Sequence, residues 1–493
     1  MSNPPLEYAS PPAPPAPPKL ERGLGLLQSA SLNVANMVGI GPFITIPLFI
    51  AAMGGPQAMI AWVVAAVLVL CDGLVWSELG AAMPGSGGSY HFLKQIFGRY
   101  PWGRVVPFLF IWQFLISGTL ELASGYIGMM LHVNYVAPGL DPTLRSWHVP
   151  GGSHAIGALS VFVVMALLCR RITTIGWLAV VMCAGAMVTV LAVIVTGLAK
   201  FDRSLITLPA GAWHVNWAWV IGLGAAMRIA IYDYLGYYNI CHLGDEVRNP
   251  AKTIPRAVIL SVVVVAAIYM TMNLSIMGVV PWQEAMKATN IAAVFMETLY
   301  GRWAAIAITV MIVWTAAASV FAGTLGYSRI PYAAAREGDF FPVFGRLHPK
   351  GNYPFVSLLA LSVLTAAFCF VSIEIVVSAA VSVRILVQFV GQIVALHILR
   401  TRRPDVPLPF RMWLYPLPAL VALVGWLFMW ATSGRMVLLS GAVVLVSGVA
   451  VYFLWQRVAP SPPLPPLPQG RGIEPLMAPS KKSGEGETRV ENP

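Results

Sequence analysis

Charge is what this chain has least of. Only 10% of its 493 residues are Asp, Glu, Lys or Arg, against roughly 25% in a soluble domain. With mean hydropathy at +0.74, a water-soluble globular fold is excluded. Cysteine is scarce too. Cys71, Cys169, Cys183, Cys241 and Cys369 lie in or at the ends of apolar segments, with neither metal spacing nor a pairing pattern, and read as small core residues. The eight histidines form no His-x-x-x-His pair, so no metal, cofactor or base cluster of an enzyme is expected. Gly85-x-Gly87-Gly88 lacks the phosphate-loop spacing and follows no strand. The formal charge of +11 would imply nucleic acid only on a soluble recognition fold, so no nucleic-acid partner is expected. The proline-rich N-terminus has no basic n-region or cleavage site. Residues 1–20 and 458–493 read as disordered tails around a membrane domain at 21–457.

What the chain has in abundance is apolar runs of spanning length, ~20 residues for a ~30 Å hydrocarbon core. They lie at Leu24 to Met53, Met59 to Met83, Val105 to Leu131, Ala155 to Cys169, Ile172 to Ala199 and Trp217 to Cys241. The second six are Ala257 to Val280, Trp303 to Gly326, Phe355 to Val371, Ile375 to Leu399, Trp413 to Ala431 and Met436 to Trp455. The fold class is therefore all-α and membrane-spanning, with twelve spans and both termini on one side. If that side is the cytoplasm, its segments hold 19 Lys and Arg against 6 opposite, before the C-terminal tail is counted. The positive-inside rule then orients the chain in the cell membrane with both termini cytoplasmic.

Two runs are interrupted. In Asn36-Met37-Val38-Gly39-Ile40-Gly41-Pro42-Phe43, each glycine costs roughly 1 kcal/mol against alanine, and Pro42 lacks an amide hydrogen and disfavours the helical region for Gly41. Either two half-helices meet here, or the helix is merely kinked and uses its glycines for packing. The sixth run repeats the oddity with Asp233, Gly236, Asn239 and the tyrosines Tyr234, Tyr237 and Tyr238. Five runs before each break, five being odd, make two halves of opposite topology, the inverted-repeat pattern that carries substrate at its interface. Free amides at a half-helix N-terminus would favour an anion.

Away from span ends, the ionisable groups are Asp72, Glu121, Asp233, Arg228 and Arg384. Each costs about 2.5 to 3.5 kcal/mol to insert, so each requires a partner or a wet cavity. Three acids against two bases leave one acid over, with Glu121 or Asp233 the candidate to receive an ammonium or carry a proton. Arg228 and Asp233, five residues apart, point ~140° apart on a helix and are poor partners. The alternative is a buried structural network of all five.

Read together, several motifs resemble the amino acid–polyamine–organocation (APC) superfamily of permeases. They are the Gly39-x-Gly41 break; Glu78 with Pro84, Gly87, Gly88 and Tyr90; Asp245-Glu246-x-Arg248-Asn249-Pro250 with Pro255; and Tyr332-Ala333-x-Ala335-Arg336-Glu337-Gly338. The resemblance covers Gly25 to Leu399 in family order. It implies a LeuT-like fold, a five-plus-five inverted repeat with two extra helices and discontinuous first and sixth spans, moving amino acids or related amines by alternating access. It also implies that the amides of Ile40 and Gly41 hold the substrate carboxylate, that carbonyls near Asn36, Met37 and Tyr232 hold the amino group, and that Tyr232 closes over the substrate from outside. Tyr232 can equally be an ordinary packed tyrosine. Glu121 resembles an acidic position of plant polyamine permeases, which keeps a cationic-amine substrate open. Pro42 removes one possible carboxylate donor, Tyr237 and Tyr238 suggest an aromatic-lined or small pocket, and the absence of lysine between Ile172 and Ala199 leaves proton and sodium both open as coupling ion. A channel would carry a charged ring or polar stripe, and a sensor a folded output domain; neither feature is present in the sequence.

Overall fold

The computed structural model describes residues 20–100, 103–372, 381 and 384–458; both expected tails lie outside these except for Leu20 and Val458. The principal helices are α1 (Leu26–Met37), α2 (Gly41–Met53), α3 (Met59–Ala82), α4 (Ser89–Phe97), α5 (Val105–Val136), α6 (Ser153–Leu168), α7 (Ile172–Ala199) and α8 (Trp217–Tyr234). They continue as α9 (Pro250–Met277), α10 (Ile291–Tyr300), α11 (Arg302–Tyr327), α12 (Arg329–Arg336), α13 (Phe355–Phe368), α14 (Gly391–Arg402), α15 (Leu417–Ala431) and α16 (Arg435–Val458). Among the described residues the only β pairing is two isolated bridges. Among the described residues, seven helices are long and apolar enough to cross a membrane, or eight if α1 and α2, bent by 45°, count as one. Helix α6, α13 and α15 are shorter apolar helices. The Ile375 to Leu399 run lies partly outside the described residues. Helix α10, between the seventh and eighth runs, was not anticipated.

Apolar runs form helices here because nothing else satisfies their backbone in hydrocarbon. The ends have specific causes. Gln28 folds back to accept from the Gly25 amide at 3.1 Å where α1 begins, and the Asn216 side chain caps α8 by accepting from the Trp219 amide at 2.9 Å. Between α1 and α2, Val38 to Ile40 leave the helix, and Pro42 sits in the first turn of α2, where its missing amide hydrogen costs least. The break is therefore two helices rather than a kink.

The helices pack in a recurring order. Helix α2 lies on α8, α1 and α3 on α9, α5 on α11, and α6 on α13. The outward faces stay apolar: Met436 and Val443 of α16 are 80% and 67% exposed, as lipid contact demands.

The sixth run departs from expectation. Its helix ends at Tyr234, and the chain does not resume as a second half-helix. It turns at Gly236, whose φ of +108° and close approach to the Asn36 side-chain amide admit no side chain. Short 3₁₀ turns at Asn239–His242 and Gly244–Glu246 then lead to α9. Side chains replace the lost helical ladder. Asn33 Nδ2 donates to the Tyr237 carbonyl at 2.6 Å, its Oδ1 accepts from the Ile240 amide at 2.9 Å, and Asn239 Nδ2 donates to the Ala322 carbonyl at 2.8 Å.

The motif residues meet at one end of the bundle. The Gly23 and Leu24 amides donate to the Glu246 carbonyl, and the Arg248 amide to Leu24. The Gly87 amide donates to the His242 carbonyl, and the Ser86 amide to Asp245 Oδ2 at 3.0 Å. Arg329 grips Glu246 with two bonds of 2.8 Å, both side chains 1% exposed. Arg400 grips Glu78 with two of 2.6 Å. Lys94 reaches Asp339 at 2.8 Å, and Tyr90 donates to the same carboxylate at 2.7 Å. Helix α4 is thus largely buried in this junction, whereas its sequence suggests an amphipathic stretch on the membrane face.

Breaking a buried, hydrogen-bonded ion pair by removing one partner costs about 3 to 5 kcal/mol, because the survivor is left charged and unpaired. Glu246→Gln should lower the unfolding free energy of purified protein by that order in a denaturant titration. The double variant Glu246→Gln/Arg329→Gln should lose less, since neither charge is then stranded.

Candidate functional site

Where α1, α2, α5, α8 and α11 converge, their side chains and backbone line a small cavity of about 30 Å³. The α1–α2 break supplies Asn36, Met37, Gly39, Ile40 and Gly41; α5 supplies Glu121, Leu122, Ser124 and Gly125; α8 and its end supply Tyr232, Asp233 and Leu235; α11 supplies Ser319 and Val320. Eight of the ten residues singled out in the sequence thus line one cavity. Gly236 and Tyr237 do not. Gly236 turns the chain against Asn36, and the turn swings Tyr237 to the far side, where its hydroxyl bonds to Asp72. Tyr238 stacks on Trp76 with ring centres 4.3 Å apart. The expected aromatic lining therefore reduces to Tyr232.

One edge of the cavity is built to accept an anion. The amides of Ile40 and Gly41 have no acceptor among the described residues, and they begin α2, where the helix dipole is positive. The Gly39 amide turns back to the Met37 carbonyl at 2.8 Å, and Pro42 has none to offer. Nearby carbonyls are mostly occupied. Ser319 Oγ donates to Asn36 at 2.9 Å, and Tyr269 donates to Met37 and Asp233 at 2.7 and 3.0 Å. Gly41 must be glycine here because any side chain would collide with Asp233 Oδ1.

Opposite in charge, Asp233 is 2% exposed and accepts from Thr45 Oγ1 at 2.5 Å, while its Oδ1 has no partner among the described residues. Tyr232 is 7% exposed, and its hydroxyl bonds to Ser124 Oγ across the cavity rather than meeting water. The Asn36 side-chain Nδ2 is likewise unpartnered.

The remaining intramembrane charges do not form one network. Glu121 pairs with Arg384 at 2.5 Å and accepts from the Tyr327 hydroxyl at 2.6 Å. Asp72 is held by neutral donors, Trp76 at 3.0 Å, Trp426 at 3.1 Å and Tyr237. Arg228 donates to the Met429 carbonyl and Thr432 hydroxyl, both at 3.1 Å, and not to Asp233. Of the two candidate spare acids, Asp233 is the one left without a cation.

Sequence reasoning missed Ser124 and Ser319. Ser124 lies one turn beyond Glu121 and so shares its helix face, a signal that was there to use. Ser319 follows three alanines in an apolar helix and carries none.

The chain matches the amino acid permease family over residues 24–455. It is 26% identical over 445 residues to the cystine/glutamate transporter of Homo sapiens, covering 89% of this chain and 86% of that one. Identity to the large neutral amino acids transporter small subunit 2 of Mus musculus is 26% over 469 residues, covering 89% and 82%. An uncharacterized transporter of Mycobacterium tuberculosis is 28% identical over 356 residues, covering 71% and 74%. The helix break, the cavity beside it and a match running through nearly every apolar helix agree: the chain belongs to the amino acid permease family, and is a membrane transporter of amino acids rather than an enzyme.

Proposed function

We infer that the chain carries one amino acid at a time through the cavity at the α1–α2 break, as a secondary transporter working by alternating access. The observation that carries this reading is the pairing of two unsatisfied groups of opposite polarity on one cavity. The Ile40 and Gly41 amides face it from the start of α2, and Asp233 Oδ1 faces it from α8. A zwitterion answers both, its carboxylate on the amides and its ammonium on Asp233. The names of the relatives, cystine/glutamate and large neutral amino acids transporters, agree with an amino acid and leave its side chain open.

The twelve-span, five-plus-five architecture is part of the same proposal. Counting apolar runs, the packing partners are first with sixth, second with seventh, third with eighth and fourth with ninth. That is the pairing expected when two halves of opposite topology interlock around a central site. The sealed end carries Arg22, Lys94, Arg329, Arg336 and Arg400, which under the positive-inside rule is the cytoplasmic end. The described conformation is then closed toward the cytoplasm. Asp233 would be the group to hold a coupled proton when no ammonium is present; in a sodium-coupled cycle its neutralisation would weaken substrate binding but leave the pH dependence of uptake unchanged.

Substitutions at four positions test the site. Gly41→Leu fills the anion edge and should abolish binding in a thermal-shift screen against amino acids, where a ligand at ~100 times its dissociation constant stabilises by roughly 2.7 kcal/mol; retained affinity in folded protein would remove the proposal. Asp233→Asn should weaken binding about tenfold or more, the loss of a charge-assisted bond worth about 1.5 to 3 kcal/mol, and should flatten the pH dependence of uptake if Asp233 carries the proton. Tyr232→Ala should weaken binding and speed exchange, with Tyr232→Phe and Ser124→Ala both mild and alike. Equal defects in Tyr232→Ala and Tyr232→Phe would assign the role to the hydroxyl instead of the ring.

A further inference from the structure

Glu121 lines the cavity, but the cation that neutralises it does not. Arg384, immediately before the π-helical stretch Ile385–Val390, is 0% exposed and lies behind the wall. Its Nη1 meets Glu121 Oε2 at 2.5 Å and Tyr238 Oη at 3.1 Å, and its Nε donates to Ser117 Oγ at 3.0 Å, one turn before Glu121 on α5. Phe114 and Tyr327 place their rings 4.8 and 5.7 Å from the guanidinium carbon. Groups from three separate parts of the chain, α5, the stretch after α8 and α11, therefore converge on this one cation. A cation held so firmly is a fixed feature of the cavity's field although no substrate touches it. Among the described residues, the cavity wall carries two carboxylates, Glu121 and Asp233, and no base.

We propose that Arg384 sets the charge selectivity of the cavity: by compensating Glu121 from behind the wall it leaves Asp233 as the single uncompensated charge, so that the site takes substrates bearing one ammonium group and rejects diamines. Arg384 is thus a positioning residue acting through Glu121. Without it the same cavity would present two carboxylates and suit a dication; with Glu121 neutralised instead, the stranded guanidinium would repel one. The inference rests on the cavity being the substrate site.

The test compares thermal-shift or competition affinities for a panel of neutral amino acids with those for L-lysine and 1,4-diaminobutane, at pH 8. In Arg384→Gln the ratio of diamine to neutral affinity should rise about tenfold or more, as one added unit charge at short range in a partly buried site requires. In Glu121→Gln the ratio should fall below wild type. In Arg384→Gln/Glu121→Gln, which strands no charge and should fold even if a single variant does not, it should return to the wild-type value. A merely structural Arg384 would change all affinities together and leave the ratios fixed, and that result overturns the proposal; so does a double variant whose ratio departs from wild type as far as either single one. Gly41→Leu separates the two levels. If it leaves neutral amino acid binding intact, the cavity reading falls; if it abolishes binding while the Arg384→Gln ratio stays at the wild-type value, only the role of Arg384 falls.

Discussion

A backbone that leaves its helix inside a bilayer must find every lost hydrogen bond again, because hydrocarbon offers none. That constraint organises this protein. Two stretches leave the helix near its centre, 38–40 and 235–249, and both are repaired by polar side chains from elsewhere. Asn33 serves Tyr237 and Ile240, Asn239 serves Ala322, Ser319 serves Asn36, and Tyr269 serves Met37 and Asp233. The repairs are partial: Asn239 Oδ1 and the His242 ring nitrogens stay unpartnered among the described residues, and so, on residues lining one cavity, do two amides at the start of α2, one oxygen of Asp233 and the Asn36 amide nitrogen. An unpaired buried polar group costs about 1 to 3 kcal/mol, a cost that a polar occupant of the cavity would offset.

The same stretch that builds the cavity also closes one end of the molecule. From Leu235, which lines the cavity, the chain runs without a helix past His242, bonded to Gly87, to Glu246 and Val247, bonded to Arg329 and paired with Leu24. Leu24 in turn lies just before α1, whose far end is Asn36 and Met37. Break and seal are two ends of one short segment on each side. Displacement of α1 or of 235–249 by a ligand must disturb the contacts at the seal, which is the mechanical connection alternating access needs.

How much of this could be read from residues alone follows from the range of the interactions. The breaks were legible because Gly, Pro and Asp in an apolar run are local offences against helix and hydrocarbon alike. The convergence of Asn36, Ile40, Gly41, Glu121, Tyr232 and Asp233 followed from the repeat logic and the family resemblance. The path of 235–249 was not legible, because whether a broken span resumes as helix depends on Asn33, some 200 residues away in sequence. Tyr237 was misplaced for the same reason: a turn at Gly236 re-aims every side chain after it. Ser319 had no signature at all.

Charge counting shows the limit most sharply. The helical wheel rightly kept Arg228 from Asp233, since that geometry is local. Counting three acids against two bases expected one acid over, whereas two, Asp72 and Asp233, have no cation among the described residues, since Arg228 spends itself on a carbonyl and a hydroxyl and Asp72 is held by two indoles and a phenol. Neutral donors can hold a buried carboxylate as well as a cation can, so net charge does not reveal which acid is free. Only the positions of the donors do. Asp72 has three and lies away from the cavity, Glu121 has a tyrosine and an arginine at its edge, and Asp233 has one threonine and faces an open space. Which acid is left short of partners thus depends on the donors around it, a property of the folded neighbourhood that composition cannot carry.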